Sequence, residues 1–155
     1  MMEYKYAMLS LFAIFIICII LLIISYVLTS IAYSKSFEKM GEDKIAGWIP
    51  IYRDYIMYKN VFNTQMFVLY ICLMIASVLF AFFGISILAS ILQIAYGIIQ
   101  IIMLYYYAKS FGCDNVLTVV IILLGCIGML IVAFDKKYLY MGNLSKKIDK
   151  LDLDK

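Results

Sequence analysis

The stretch LFAIFIICIILLIISYVL, residues 11–28, contains no charged residue and consists mostly of Ile, Leu and Phe. It belongs to an apolar run from Met8 to Tyr33 that would measure about 39 Å as a helix at 1.5 Å per residue. The hydrocarbon core of a bilayer is about 30 Å thick, so such a helix crosses it with some tilt. The run is also longer than the apolar region of a cleaved signal peptide, which has about 7–15 residues. We therefore predict a retained membrane span over residues 8–33.

The composition of the whole chain agrees with a membrane protein. Of its 155 residues, 66% are hydrophobic and the mean hydropathy is +1.02, whereas soluble domains contain about 45–50% apolar residues. The net charge of +3 is too small to indicate a nucleic-acid partner, and the absence of His removes the commonest general base and metal ligand. The four Cys do not occur in the closely spaced pairs that a disulfide framework or a metal site requires, which favours a role as small apolar packing residues. No cofactor and no metal are predicted.

Three further spans are predicted along the chain. The apolar run that follows Val61 is too long for one helix, and Gly84 and Ser86 offer a helix stop and a helix start. We expect a hairpin of two spans over residues 66–83 and 87–108, and a fourth span over residues 116–134. The predicted fold is an all-α membrane protein with four transmembrane helices in residues 1–135. A polar, Lys-rich tail over residues 136–155 follows them.

The segment GWIPIYRDYIMYKN, residues 47–60, contains the only Trp, the only Pro and the only Arg of the chain. Pro50 suits the first turn of a helix, and Trp and Tyr favour the headgroup level of a membrane. We predict a short interfacial helix over residues 50–60, between the first and second spans. An aromatic anchoring belt explains these residues without a ligand. The predicted interfacial surface comprises Trp48, Pro50, Tyr52, Arg53, Tyr55, Lys109, Ser110 and Phe111.

Small and polar residues recur at helical spacing in the third and fourth predicted spans. Such residues let helices approach closely and form hydrogen bonds in lipid, where apolar surface does not drive association. A polar stripe within a span is also a candidate path for a solute, although we favour helix packing. The stripe residues are Ser86, Ser90, Gln93, Gly97 and Gln100 in the third span and Gly125 and Gly128 in the fourth.

The sequence offers no catalytic constellation. The acidic residues fall outside the predicted spans or at their edges, whereas a proton-coupled exporter needs a titratable group at membrane depth. Lys109 and Ser110 are neighbours on a helix and therefore do not face each other, which argues against a Ser–Lys dyad. We predict that the chain is not an enzyme.

The distribution of Lys and Arg does not orient a four-span chain. Six of them fall on the side of residues 35–60 and seven on the other side, so the positive-inside rule does not decide. The first span and the basic loop that follows it favour a cytoplasmic position for residues 35–60.

Four short motifs occur in order along the chain: FEKMG (residues 37–41), GWIPIY (47–52), AKSFG (108–112) and AFDKKYL (133–139). They resemble a family of small bacterial integral membrane proteins of unknown function, in which a phrase like FEKAG, a Trp, IPIYN and AKSFGK recur. Arg53 stands where that family usually has Asn, and the apolar stretch before AKSFG is longer here. The resemblance implies a location in the bacterial cytoplasmic membrane and a paired role for the second and third motifs, but no activity.

These observations predict a non-catalytic accessory or interaction subunit of a bacterial membrane complex that serves transport, secretion or immunity to a peptide. Its expected partners are the lipid bilayer and either another membrane protein or a second copy of itself. The alternative is a homo-oligomeric pore or small-solute carrier lined by Ser90, Gln93 and Gln100.

Overall fold

The computed structural model describes residues 2–143, with side chains from residue 8 onward. Within this part of the chain the protein is entirely helical, which confirms the predicted class. The elements are α1 (Met2–Met40), a 3-10 helix (Lys44–Trp48), α2 (Tyr52–Val61), α3 (Thr64–Phe82), α4 (Ser86–Ser110), α5 (Asn115–Leu124) and α6 (Cys126–Phe134).

Three of the described helices are long and apolar enough to cross a membrane: α1 from Met8 onward, α3 and α4. They correspond to the predicted spans over residues 8–33, 66–83 and 87–108. Helix α1 continues past its apolar part to Met40, where Gly41 adopts a φ of 77° and the N–H of Glu42 donates to the carbonyl of Phe37 over 2.9 Å. This left-handed glycine ends the helix in the way that many helices end.

Helices α3 and α4 form the predicted hairpin. Asn63 caps the start of α3, because its side-chain oxygen accepts from the N–H of Gln65 over 2.9 Å. Gly84 turns the chain with a φ of 77°, a conformation that costs a residue with a Cβ more than it costs glycine. Ile85 is the capping residue of α4, and Ser86, the predicted cap, is the first residue inside the helix.

Helix α2 packs inside the bundle. Ile56, Met57, Tyr58 and Val61 are at most 3% exposed. The ring of Tyr58 stacks on that of Tyr70 in α3 at a centroid distance of 5.6 Å, and the ring of Phe62 stacks on that of Tyr106 in α4 at 4.7 Å. The aromatic residues at the C-terminal end of α2 therefore contact α3 and α4, whereas Trp48 and Tyr52, at its other end, are exposed.

The fourth predicted span, residues 116–134, is divided. Gly125 has a φ of 44° and separates α5 from α6, and a Cβ on Gly128 would lie 2.6 Å from the Cα of Ile121. Residues seven positions apart are about 10 Å apart along a continuous helix, so α6 folds back on α5. The prediction of four transmembrane helices is therefore not confirmed: three long helices and a hairpin of two short ones are present in residues 2–143.

The buried core lies at one end of the bundle. Its largest fully buried side chains include Phe37 of α1, Tyr58 of α2, Tyr107 of α4 and Ile121 of α5. By contrast, apolar side chains in the first half of α1 are widely exposed. We call the end that holds the core the basic end, because its described residues include Lys35, Lys39, Lys44, Arg53, Lys59, Lys109, Lys136 and Lys137.

Candidate functional sites at the basic end and on α4

Lys39 connects α1 to the end of the α5–α6 hairpin. Its ammonium donates to the carbonyl oxygens of Val132 at 2.6 Å, Asp135 at 2.7 Å and Tyr138 at 3.0 Å. The last carbonyls of a helix have no partner within the helix and carry a partial negative charge, so a lysine satisfies both their hydrogen bonding and their charge. This contact joins the first motif, FEKMG, to the last, AFDKKYL.

The third motif, AKSFG, contacts residues 140 and 141 in the same region. The N–H of Met141 donates to the carbonyl of Ser110 over 2.8 Å, and the ring of Tyr140 lies 5.5 Å from that of Phe111. The hydroxyls of Ser36 and Tyr107 lie 2.8 Å apart in a hydrogen bond between α1 and α4. Ser110 and Phe111 are buried and Lys109 donates to Asn115, so these three predicted interfacial residues serve the bundle itself.

Arg53 and Asp54 lie against aromatic side chains of α1. The guanidinium carbon of Arg53 is 5.0 Å from the ring centroid of Tyr33 and 5.6 Å from that of Tyr26, which are cation–π distances. The Nε of Arg53 is 3.8 Å from a carboxylate oxygen of Asp54, an ion pair too long for a hydrogen bond. This Nε is buried and has no hydrogen-bond acceptor.

The surroundings of Asp54 change its acidity. Burial raises the pKa of this carboxyl, while the positive charge of Arg53 and a hydrogen bond from the hydroxyl of Tyr33, 3.3 Å away, oppose the shift. Nothing in the sequence indicates this contact, because Asp54 lies outside the predicted spans in the linear chain. A carboxylate nevertheless packs against the last turn of the first predicted span.

Glu42 forms a second charged contact near the end of α1. One of its carboxylate oxygens accepts from Asn60 at 2.9 Å and from Lys59 at 3.3 Å. The hydrogen bond from Asn60 is the main cause that holds the pKa of Glu42 below its usual range. These bonds hold the end of α2 beside the end of α1.

The remaining residues of the predicted interfacial surface lie at the start of α2. Trp48, Pro50 and Tyr52 are exposed, and the carbonyl of Trp48 accepts from the hydroxyl of Tyr26 over 2.6 Å. The ring of Tyr55 stacks on that of Tyr52 at 6.2 Å. The hydrogen bonds and ring contacts of this group lead to α1 and α3, whereas Ser110 and Phe111 contact residues 140 and 141 and, within α4, Tyr107.

The polar stripe of α4 lies mostly on the outside of the chain. Ser86, Ser90 and Gln93 are exposed, and Ser90 donates to the carbonyl of Ser86 in its own helix. Gln100 is half-buried and accepts from the hydroxyl of Tyr58 over 3.2 Å. No pocket forms among the described residues, so this stripe does not line a cavity within one chain.

Two glycines of the stripe differ in their surroundings. A Cβ on Gly97 would meet nothing within 4 Å, whereas one on Gly128 would overlap Ile121. Gly128 therefore serves the α5–α6 hairpin, and nothing within the described chain requires a glycine at position 97. Gly125, predicted to belong to the packing stripe, provides the break between the two short helices.

The described part of the chain holds no group of three His, Cys, Asp or Glu side chains that could bind a metal ion. Its four cysteines are free, with Cys18 and Cys72 exposed, Cys113 buried and Cys126 half-buried. No protein-family model, curated protein or solved structure matches the chain, so the family that its motifs resemble stays a prediction from the sequence.

Proposed function

We propose that the protein is a non-catalytic interaction subunit of a membrane complex in the bacterial cytoplasmic membrane. The partner is a transmembrane helix that packs on the outer face of α4. Gln93 is the main support: its side chain is exposed on an apolar helix and has no hydrogen-bond partner among the described residues. An amide that faces hydrocarbon without a partner costs roughly 2–7 kcal/mol, depending on the reference state, so a neighbouring polar group is strongly favoured.

Gly97 also indicates that a partner helix packs on the outer face of α4. Glycine inside a helix costs about 1 kcal/mol relative to alanine, and the space around Gly97 gives no reason for that cost within the chain. Small residues on a transmembrane helix allow the backbone of a second helix to come close. Ser90, Gln93 and Gly97 follow one another at steps of three and four residues, which places them on one face of α4.

The test is co-purification of the tagged chain in a gentle detergent, followed by mass spectrometry and native mass measurement. We expect a stoichiometric membrane protein with the wild-type chain and less of it with Gln93→Leu. An interhelical hydrogen bond contributes about 0.6 kcal/mol on average, which corresponds to about a threefold loss of affinity. Ile98→Leu is the matched control, because Ile98 is exposed on the same helix but away from the stripe.

Two results would contradict the proposal. One is recovery of the partner at the same level with Gln93→Leu and with wild type. The other is a complex that contains copies of this chain and nothing else, which favours the second candidate, a homo-oligomeric pore or carrier. In a pore, Ser90, Gln93 and Gln100 of several copies would face a common axis, and combined Gln93→Leu and Gln100→Leu would abolish solute flux. The bond from Tyr58 to Gln100 disfavours the pore, because it occupies one of the lining amides.

A further inference from the structure

The two ends of the α5–α6 hairpin lie next to each other. The residue before the hairpin and the residues after it are joined by the hydrogen bond from Met141 to Ser110 and by the ring contact between Tyr140 and Phe111. A continuous helix over residues 116–134 would be about 28 Å long and would separate these residues by the thickness of a bilayer core. The chain therefore returns to the end of the bundle from which it left.

Each arm of the hairpin is too short to cross a bilayer. Helix α5 has 10 residues and α6 has 9, so the arms measure about 15 and 14 Å, half of the hydrocarbon core. Leu123, Leu124 and Ile127, at the turn, are 75%, 54% and 55% exposed, which suits contact with lipid chains. A turn at membrane depth must keep its backbone groups bonded. At this turn, the N–H of Gly125 donates to the carbonyl of Ile121 and its carbonyl accepts from the N–H of Met129, so both backbone groups of the one residue between the two helices are bonded.

We propose that residues 115–134 enter the bilayer as a re-entrant hairpin, that the described chain crosses the bilayer three times, and that the basic end faces the cytoplasm. The start of α1 then lies on the far side of the membrane, together with the uncharged turn Phe83–Gly84–Ile85 between α3 and α4. The chain that follows Asn143 begins on the cytoplasmic side. This topology differs from a four-span arrangement, which would place the start of α1 and residue 143 on the same side.

The distribution of basic residues supports this topology independently of the helix contacts. In a four-span chain the Lys and Arg residues are divided six against seven, but the re-entrant hairpin gathers nearly all of them on one side. Lys5 is separated from Lys35 by about 45 Å of helix and is the one basic residue at the far end. Four more, Lys146, Lys147, Lys150 and Lys155, follow residue 143 with no apolar run between them. Twelve of the 13 Lys and Arg thus belong to one side, which the positive-inside rule assigns to the cytoplasm.

Cysteine labelling in cells tests the topology. Single cysteines are placed at Glu3, Ile45 and Leu139 in a chain whose native cysteines are replaced by alanine, and a membrane-impermeant maleimide is added to intact or permeabilised cells. Ile45 and Leu139 are exposed at the basic end, on either side of the hairpin in sequence. We expect Glu3→Cys to be labelled in intact cells, and Ile45→Cys and Leu139→Cys only after permeabilisation.

Other labelling patterns would overturn the proposal in distinct ways. Labelling of Leu139→Cys together with Glu3→Cys in intact cells would show that residues 116–134 cross the membrane. Labelling of both Ile45→Cys and Leu139→Cys in intact cells would keep the hairpin but reverse the orientation. If the cysteine-free chain does not accumulate, a fluorescent protein or alkaline phosphatase fused after Lys155 of the wild-type chain distinguishes the same sides, and we expect fluorescence without phosphatase activity.

Discussion

Lys39 supplies the hydrogen bonds that the end of α6 would otherwise have to obtain from water. Three carbonyl oxygens from residues 132–138 surround one ammonium group, and the lysine comes from a helix almost a hundred positions earlier in the chain. Such a contact orients the hairpin as well as stabilising it, because all three bonds form only when α6 lies beside α1.

We expect Lys39→Met to destabilise the protein. The substitution keeps the length of the side chain but leaves the three carbonyls without their donor, and hydrogen bonds to a charged group contribute about 1.5–3 kcal/mol. Thermal unfolding in detergent measures the loss, which should amount to about 2–3 kcal/mol. Lys35→Met is the control: Lys35 forms a surface pair with Glu38 at 3.0 Å, and exposed pairs contribute about 0–1 kcal/mol. Equal effects of the two substitutions would contradict the role of Lys39.

Asp54 and Glu42 should give opposite dependences of stability on pH. The folded pKa of Asp54 is raised by burial, so its contribution to stability is complete below the unfolded value of about 4 and is lost as the pH rises through the folded pKa. The folded pKa of Glu42 is lowered by Asn60, so its contribution is present above its unfolded value and is lost as the pH falls through the folded pKa.

Thermal unfolding from pH 3 to pH 7 of wild type, Asp54→Asn and Glu42→Gln separates these two contributions. Relative to wild type, Asp54→Asn should become more stable as the pH rises above about 4, since asparagine has no charge to bury. Glu42→Gln should lose stability relative to wild type as the pH rises towards and beyond about 4, because glutamine cannot become the carboxylate that Asn60 favours. If the stability of each variant differed from that of wild type by the same amount at every pH, the opposite pKa shifts of Asp54 and Glu42 would be refuted.

At the scale of the helices, the approach of α6 to α5 depends on the missing side chain of Gly128. A methyl group there would overlap the backbone of Ile121, and overpacking of this kind costs about 1–3 kcal/mol. We therefore expect Gly128→Ala to lower the unfolding temperature of the isolated chain. Gly97→Ala is a matched control within another helix, where the methyl group meets open space and improves helix propensity by up to about 1 kcal/mol. A loss of stability with Gly97→Ala but not with Gly128→Ala would contradict the hairpin.

The sequence predicts three of these helices well and the fourth segment poorly, for a physical reason. Gly84 marks the hairpin of α3 and α4, because a local helix stop between two long apolar runs is sufficient to place it. Residues 116–134 have the length and apolarity of a span, and hydropathy does not distinguish one crossing from two short arms. The distinction comes from Lys39, whose contacts with the end of α6 are distant in sequence, and from Ile121, which meets Gly128 only because the chain turns at Gly125.

In the candidate sites, too, the sequence predicts what depends on spacing within one helix but not what depends on contacts between helices. The shared face of Ser86, Ser90 and Gln93 follows from helical spacing, but its outward position does not, because spacing alone does not say which face of a helix meets a neighbour. The partner of Gln100 does not follow from spacing, because Tyr58 reaches it from another helix. Likewise the interfacial helix was predicted from its aromatic residues, but whether these rings face lipid or protein depends on where α3 and α4 lie.

At the scale of the whole molecule, the structure predicts a long distance between the turn of α3–α4 and the chain after α6. Helix α4 separates Ile87 from Ser110 by about 35 Å, and Met141 is bonded to Ser110. Spin labels on Ile87→Cys and Leu139→Cys, both exposed positions, should therefore give an interlabel distance near this length in detergent. A continuous helix over residues 116–134 would bring Leu139 towards the Ile87 end and give a short distance. Ile45→Cys with Leu139→Cys is the control pair within the basic end.

The divided fourth segment has a consequence for how the protein is made. A translocon sorts each emerging segment by hydrophobicity, and residues 116–134 are apolar enough to be released sideways as a complete crossing. The fold instead places both ends of this segment at the same end of the bundle, so partitioning and folding favour different outcomes at this position. The interactions that favour the hairpin come from Lys39 of α1, and α1 is synthesised before α5 and α6. Membrane quality control should therefore degrade chains in which residues 116–134 cross the bilayer. The fraction of such chains should rise with Lys39→Met.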